Sequence, residues 1–119
     1  MRDQSKRARG QWGEDRAATH LRRIGYVIVD RNWRSLERHV RGEVDIIARD
    51  GDVVVFCEVK ARRSAGFGGA VSAVDRTKQD QIRRLAESWL RTVDRPFDGI
   101  RFDVVAIDGV SLTHYEAAF

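Results

Sequence analysis

Two carboxylates and a lysine lie near the ends of two apolar strands. Asp45 belongs to the first strand of this pair, and Glu58 and Lys60 close the other strand, which begins with the apolar run VVVFC. Paired carboxylates can share one divalent cation, because Mg²⁺ takes oxygen ligands and is commonly held by one or two carboxylates. Such a cation can polarise a phosphate ester, and a lysine beside it can neutralise charge on phosphoryl oxygens or orient a water. The residue types therefore indicate phosphodiester hydrolysis, with an ion-pair network between these acids and arginines as the alternative.

The dipeptide Asp50-Gly51 between these strands predicts a two-residue hairpin turn. In the register of that turn, Asp45 lies diagonally across from Glu58, and Glu43 faces Glu58 directly. Because side chains alternate faces along a strand, Asp45, Glu58 and Lys60 are predicted to share one face of the sheet. Diagonal neighbours have Cβ atoms roughly 7 Å apart, a separation that two carboxylates can close onto one cation.

Two further charged residues are predicted on helix faces that pack against the sheet. Glu14 lies three, four and seven residues before the apolar stripe of the first helix, so it should face the sheet. A carboxylate there is unfavourable unless it is paired or liganded, so Glu14 is either a third acid over the same site or a salt-bridge partner. Lys78 lies four residues before Ile82, in the first turn of the second helix, and points toward the core side or snorkels to solvent.

The elements that carry these residues alternate between helices and strands. Helices are predicted over Gln4–Ile24 and Asp75–Val93, and strands over Tyr26–Val29, Gly42–Ala48, Val53–Lys60, Phe102–Ile107 and Val110–Tyr115. The polar, arginine-dense stretch Arg31–Arg41 is interpreted as a loop. The order α-β-β-β-α-β-β predicts an α/β fold, a mixed central sheet of about five strands flanked by helices. With 119 residues, one domain over 1–119 is expected.

Charge favours a polyanion as partner. The formal net charge is +4, and residues 1–41 hold eleven Lys/Arg against five Asp/Glu. Basic residues attract nucleic acid without regard to its sequence, although a merely solvated arginine-rich surface is the alternative. The longest apolar runs are about five residues, against roughly 18 for a membrane span, and the basic N-terminus precedes no apolar segment of a secretory signal. We therefore expect a cytoplasmic protein without a membrane partner.

The other chemistry-bearing residues are assigned ordinary roles. His20, His39 and His114 are far apart in sequence and show no metal-ligand spacing, so surface or packing roles are expected. The single Cys57 supports neither a disulfide nor a zinc site, and it is predicted to be a small core residue on the face opposite the acids. Asp103 is expected to be half-buried and paired with an arginine.

The joint order of these motifs resembles the signature of the PD-(D/E)XK nuclease superfamily. Asp45 is followed, after a hairpin, by Glu58-Val59-Lys60, with the helical Glu14 upstream; Val44 stands where that signature often has proline. More closely, the chain resembles the YraN family of small bacterial endonuclease-like proteins. The matching stretches run through most of the chain: Gly13-Glu14, Arg31–Arg34, Gly42–Asp45, Phe56–Lys60 with Arg62, Phe67-Gly68, Lys78, Arg101–Val105 and Ala118-Phe119.

The resemblance implies a restriction-endonuclease-like fold, similar to that of archaeal Holliday junction resolvases. Carried over, it makes Asp45 and Glu58 ligands of Mg²⁺ or Mn²⁺, Lys60 the catalytic lysine and Glu14 an accessory acid. The implied substrate is DNA, branched or single-stranded, and the resolvase-like relatives suggest a homodimer. The alternative is a nucleic-acid-binding module that uses the fold without hydrolysis. In either case the expected nucleic-acid contacts are Arg34, Arg62, Arg63 and Lys78.

Overall fold

The computed structural model describes residues 2–62, 74–94 and 96–119; for residues 2–9 and 62 it describes the backbone only. The elements are α1 (Arg2–Arg23), β1 (Val27–Trp33), β2 (Val44–Asp50), β3 (Val53–Arg62), α2 (Arg76–Leu90), β4 (Gly99–Asp108) and β5 (Ser111–Tyr115). The strands form one sheet in the order β1-β2-β3-β4-β5. Only the β3–β4 pair is parallel among these neighbours, and α2 lies in the connection between them, as a parallel pair requires. The prediction of a mixed five-stranded α/β sheet with helices is confirmed.

Each face of the sheet carries one helix and one apolar cluster. On one face, the stripe of α1 packs on inward side chains of β2, β3 and β4, with Leu21, Ile46 and Cys57 fully buried. On the other face, α2 packs its own stripe, including Leu85, against Phe56 and its neighbours. The alternation of strand side chains separates the two clusters. Cys57 is therefore a core residue on the α1 face, as predicted.

The loop predicted over Arg31–Arg41 is wrong at its beginning, because β1 continues to Trp33. β1 is an edge strand of the described sheet, with a register irregularity between Ile28 and Asp30 and most side chains partly or fully exposed. An edge strand of this kind shows no apolar alternation, so its sequence looks like a loop. Asn32 within it has φ of 52°, in the left-handed region.

The hairpin register predicted from Asp50-Gly51 is also wrong, by two residues. Asp50 pairs with Val53, so the turn residues are Gly51 and Asp52. Gly51 has φ of 60° and Asp52 has no positive φ, which matches a type II′ turn with glycine at its first central position. Because a two-residue shift keeps every side chain on its face, the predicted sharing of faces survives.

Candidate functional site

The centre of the site is a pair of carboxyl groups where β2 and β3 separate. The ladder between these strands runs to the pair Ile46 and Cys57, and one residue further places Asp45 directly opposite Glu58 rather than diagonally. The two side chains are hydrogen-bonded to each other. Asp45 Oδ2 also accepts a hydrogen bond from the Val59 amide, at 2.8 Å. This contact ties the Asp45 side chain to β3 and fixes its position.

Burial raises the pKa of Asp45 to about 9, helped by the negative charge of Glu58 and the hydrogen bond to it, while the Val59 amide opposes the shift. The Asp45 carboxyl therefore holds a proton at neutral pH and donates it toward the Glu58 carboxylate. Two carboxyl groups in contact at a partly enclosed position need a proton or a cation between them. The pair is thus suited to exchange that proton for a metal ion.

Two lysines balance the buried Glu58, which is 3% exposed. Lys60 Nζ lies 3.4 Å and Lys78 Nζ lies 3.5 Å from the same oxygen, Glu58 Oε2. Lys60 follows Glu58 by one pleat repeat on β3, whereas Lys78 comes from the first turn of α2. That turn is fixed by the N-cap Asp75, whose Oδ1 accepts from the Lys78 amide at 2.9 Å. Both ammonium groups remain partly exposed to solvent.

Two further acids, Glu14 and Glu43, lie close to Asp45. One carboxylate oxygen each from Glu14, Glu43 and Asp45 lies within 4.8 Å of the others. Burial is the main reason that the pKa of Glu14 is raised, although hydrogen bonding to Asn32 and the charge of Arg31 oppose the shift. Glu14 therefore is the third acid near the site, and it also lies 3.7 Å from the guanidinium of Arg31. The structure thus places Glu14 beside Asp45 and also within ion-pair distance of Arg31.

Asn32 holds two of these acids and was not identified from the sequence. Its Nδ2 donates to Glu14 Oε1 at 2.9 Å and to Glu43 Oε1 at 3.1 Å. The predicted pairing of Glu43 with Glu58 is therefore wrong; Glu43 instead bonds Asn32 and lies 3.0 Å from Arg34. The one sequence signal is asparagine itself, which tolerates the left-handed conformation found here better than most residues do.

Gly13 allows α1 to bring Glu14 over the sheet. A Cβ at this position would lie 2.8 Å from the Cβ of Ala61 on β3, closer than side chains pack. Glycine therefore permits the close approach of helix and strand immediately beside Glu14. The neighbouring Gly10 has nothing within 4 Å of such a Cβ, so that position makes no similar demand.

The four residues predicted to contact nucleic acid lie in different surroundings. Lys78 reaches Glu58, as described. Arg34 is 70% exposed and bonded to Glu43 at the margin of the acidic group. Arg62 ends β3, but its side chain lies outside the described part of the chain, as does the whole of Arg63.

A separate polar cluster surrounds Asp103, which is fully buried rather than half-buried. The predicted arginine partner is Arg101, at 2.8 Å. Burial alone would raise the pKa of Asp103. Hydrogen bonds from His114, Arg101 and the Ala117 amide outweigh burial and lower that pKa to about 2. Although His20 and His114 are far apart in sequence, β5 brings His114 Nδ1 to 3.2 Å from Nε2 of His20 on α1. This cluster supports the fold beside β5 and takes no part in the acidic site.

No helix among the described residues combines the length and apolar character needed to cross a bilayer.

Comparison with known proteins identifies relatives over most of the chain. Residues 13–107 match the model of the uncharacterised protein family UPF0102, a span that includes Glu14, Asp45, Glu58, Lys60 and Lys78. A UPF0102 protein of Streptomyces griseus is 50% identical over 101 residues, covering 84% of this chain and 82% of that protein. One of Rhodococcus jostii is 54% identical over 100 residues, covering 84% and 81%. One of Frankia alni is 42% identical over 124 residues, covering 100% of both. The chain therefore belongs to the UPF0102 family, the YraN-like proteins.

Proposed function

We propose that this protein is a metal-dependent endonuclease of the PD-(D/E)XK superfamily that hydrolyses DNA phosphodiesters in the cytoplasm. The observation that carries the proposal is the hydrogen-bonded Asp45–Glu58 pair with two lysine ammonium groups within 3.5 Å of Glu58. Two adjacent carboxyl groups and two ammonium groups meet at one point. The order of motifs and the mixed sheet with α2 between β3 and β4 support the restriction-endonuclease-like fold that this function implies.

The acids fit an oxygen-preferring divalent cation. Burial raises the pKa of Asp45 and of Glu14, so the ionised form of each carboxyl group would be stabilised by a further positive charge. The surrounding donors are carboxylate oxygens, which are the ligands of Mg²⁺ and Mn²⁺. Asp45 and Glu58 would hold the ion, with Glu14 beside them. When bound, it supplies Lewis-acid polarisation of a phosphate ester and lowers the pKa of a bound water.

The lysines contribute the remaining chemistry. Lys60 and Lys78 present partly exposed ammonium groups on either side of the buried Glu58 oxygen. Fixed positive charges of this kind stabilise the charge that grows on phosphoryl oxygens during hydrolysis. Lys60 can also orient the attacking water. Because Glu58 anchors both ammonium groups, their positions are set before a substrate binds, which reduces the reorganisation that hydrolysis requires.

The test is a cleavage assay on duplex, single-stranded and four-way-junction DNA, with Mg²⁺ or Mn²⁺. Cutting is expected to disappear in Asp45→Asn and Glu58→Gln and to fall at least a hundredfold in Lys60→Ala. The matched control is Glu87→Gln, which changes an exposed carboxylate on α2 and should cut like the wild type. Cutting that persists in Asp45→Asn or Glu58→Gln would contradict the assignment.

A non-catalytic nucleic-acid-binding module is the second candidate. It is favoured by the same two lysines, because they already balance Glu58 without a cation. This candidate predicts DNA binding that weakens with salt, that is unchanged in Asp45→Asn, and that is accompanied by no cutting with either metal.

A further inference from the structure

A second charged and aromatic surface lies on α1, away from the Asp45–Glu58 pair. A cavity of about 530 Å³ opens between α1 and β5, within the range of about 300–1,000 Å³ typical of ligand sites. We call it the α1–β5 groove. Its main lining residues are Trp12, Arg16, Thr19, His20 and Arg23 of α1 and His114 of β5.

An exposed aromatic ring marks one end of the α1–β5 groove. Trp12 is 47% exposed, so part of its indole ring is available to contact a ligand. The Arg16 guanidinium lies over the indole, 5.1 Å from the ring centroid, and donates to the Val110 carbonyl at 3.1 Å. Aromatic rings and arginine guanidinium groups are the surfaces on which unpaired bases stack.

The charge of the α1–β5 groove favours an anion. Arg16 and Arg23 line it, while its one acidic lining residue, Asp15, is bonded to Arg31 at 2.8 Å. The helix continues toward its N-terminus with a basic sequence, since residues 2–9 hold four Lys/Arg and one Asp. Polyanions are attracted to such a helix through their phosphates.

The length of the groove distinguishes a strand from a single nucleotide. Arg23 is eleven positions after Trp12, which corresponds to about 16 Å along the helix axis at 1.5 Å per residue. A ligand that contacts both ends must therefore be extended. A duplex is a poorer fit than a single strand, because its bases are stacked on each other and present no free face to an indole.

We propose that the α1–β5 groove binds single-stranded nucleic acid, with a base stacked on Trp12 and phosphates at Arg16 and Arg23. The role of this groove in substrate choice rests on the proposed function, because an unpaired strand would be the feature by which the nuclease selects DNA. Binding itself needs neither Asp45 nor a metal ion.

The test is fluorescence anisotropy with a labelled oligothymidylate of about 15 nucleotides, on the full chain, in EDTA. Trp12→Ala is expected to weaken binding about tenfold, and Trp12→Phe to restore most of it. Arg23→Ala should reduce the slope of log K against log salt by about 0.7, the value for one phosphate contact on a single strand. The matched control is Arg22→Ala, an exposed neighbour of the same charge outside the groove lining, which should bind within twofold of wild type.

The outcomes separate this proposal from the nuclease assignment. If Trp12→Ala binds like wild type, or if Arg22→Ala weakens binding as much as Arg23→Ala, the groove assignment is overturned, whatever the cleavage assay shows. An equal loss of duplex and single-strand affinity in Trp12→Ala would also overturn it. If the groove variants behave as expected but wild type cuts no DNA with Mn²⁺, the nuclease function fails and the groove stands.

Discussion

Replacing Asp45 by asparagine should make the metal-free protein more stable, and increasingly so as pH rises. Burial and Glu58 raise the pKa of Asp45 from 3.8 to about 9. Between these values the native state keeps a proton that the unfolded state has lost, so the free energy of unfolding falls as pH increases. One proton corresponds to about 1.4 kcal/mol per pH unit. Between pH 6 and pH 8 the wild type should therefore lose about 2 to 3 kcal/mol through this group.

Asparagine reproduces the protonated form without the titration. Its amide can donate to Glu58, and its carbonyl oxygen can accept from the Val59 amide, as Asp45 does. The Asp45→Asn protein should consequently be more stable than wild type at pH 8, with the difference shrinking by about 2 to 3 kcal/mol at pH 6. Contributions from histidines, including His20, whose pKa is lowered mainly by burial, are common to both proteins and cancel in the difference.

The assay is urea denaturation in EDTA at pH 6, 7 and 8, followed by tryptophan fluorescence. The control is Asp94→Asn, an exposed carboxylate whose replacement should leave the pH dependence of wild type intact. A stability difference between wild type and Asp45→Asn that does not change with pH would show that Asp45 does not keep its proton in the native state. The same conclusion would follow if Asp45→Asn were the less stable protein at pH 8.

Three further predictions concern the residues that position the site and the core. In urea denaturation, Gly13→Ala should destabilise the protein by about 1–3 kcal/mol, because the new Cβ would lie 2.8 Å from that of Ala61. The control Gly10→Ala should stabilise the protein by about 0.5–1 kcal/mol. Equal effects of the two substitutions would contradict the close approach of α1 to β3 at Gly13. Asn32→Gly keeps the left-handed conformation but loses both glutamate hydrogen bonds, so urea denaturation should show a loss of about 1–2 kcal/mol; unchanged stability would mean that the amide does not hold the glutamates. Hydrogen bonds and Arg101 hold the pKa of Asp103 at about 2, against its usual 3.8. The stability that ionised Asp103 contributes is therefore complete above pH 4 and is lost as pH falls through about 2. Asp103→Asn should remove that acid dependence and lower the melting temperature at pH 7, and an unaltered dependence of stability on acid pH would contradict the low pKa.

The sequence was sufficient for the number and types of the helices and strands and for the faces of the hairpin, but not for the length of β1. Period-2 alternation puts Asp45, Glu58 and Lys60 on one side for either placement of a two-residue turn, because an error of two residues in register does not change the face. The register itself was missed because Asp-Gly was interpreted as the two central turn residues, whereas Gly51 leads the turn. Local turn chemistry determines that choice, and the dipeptide fits both.

The remaining features depend on contacts between distant segments. Asn32 was missed because its conformation belongs to an irregular edge strand, and no periodicity indicates a left-handed residue. His20 and His114 are 94 residues apart in sequence and meet only because β5 folds back beside α1. Lys78 was predicted either to point toward the core side of α2 or to snorkel to solvent, and it is the parallel crossover between β3 and β4 that brings it to Glu58. Such pairings follow from topology rather than from spacing.

The proposed function requires the Asp45–Glu58 pair to exchange its shared proton for a divalent cation. Isothermal titration of Mn²⁺ into the protein at pH 7.5, in two buffers of different ionisation enthalpy, measures binding and proton release together. We predict binding with release of about one proton per ion, and affinity at least tenfold lower in Asp45→Asn. Binding that is equally tight in Asp45→Asn, or that releases no proton, would show that the pair does not exchange a proton for a metal ion.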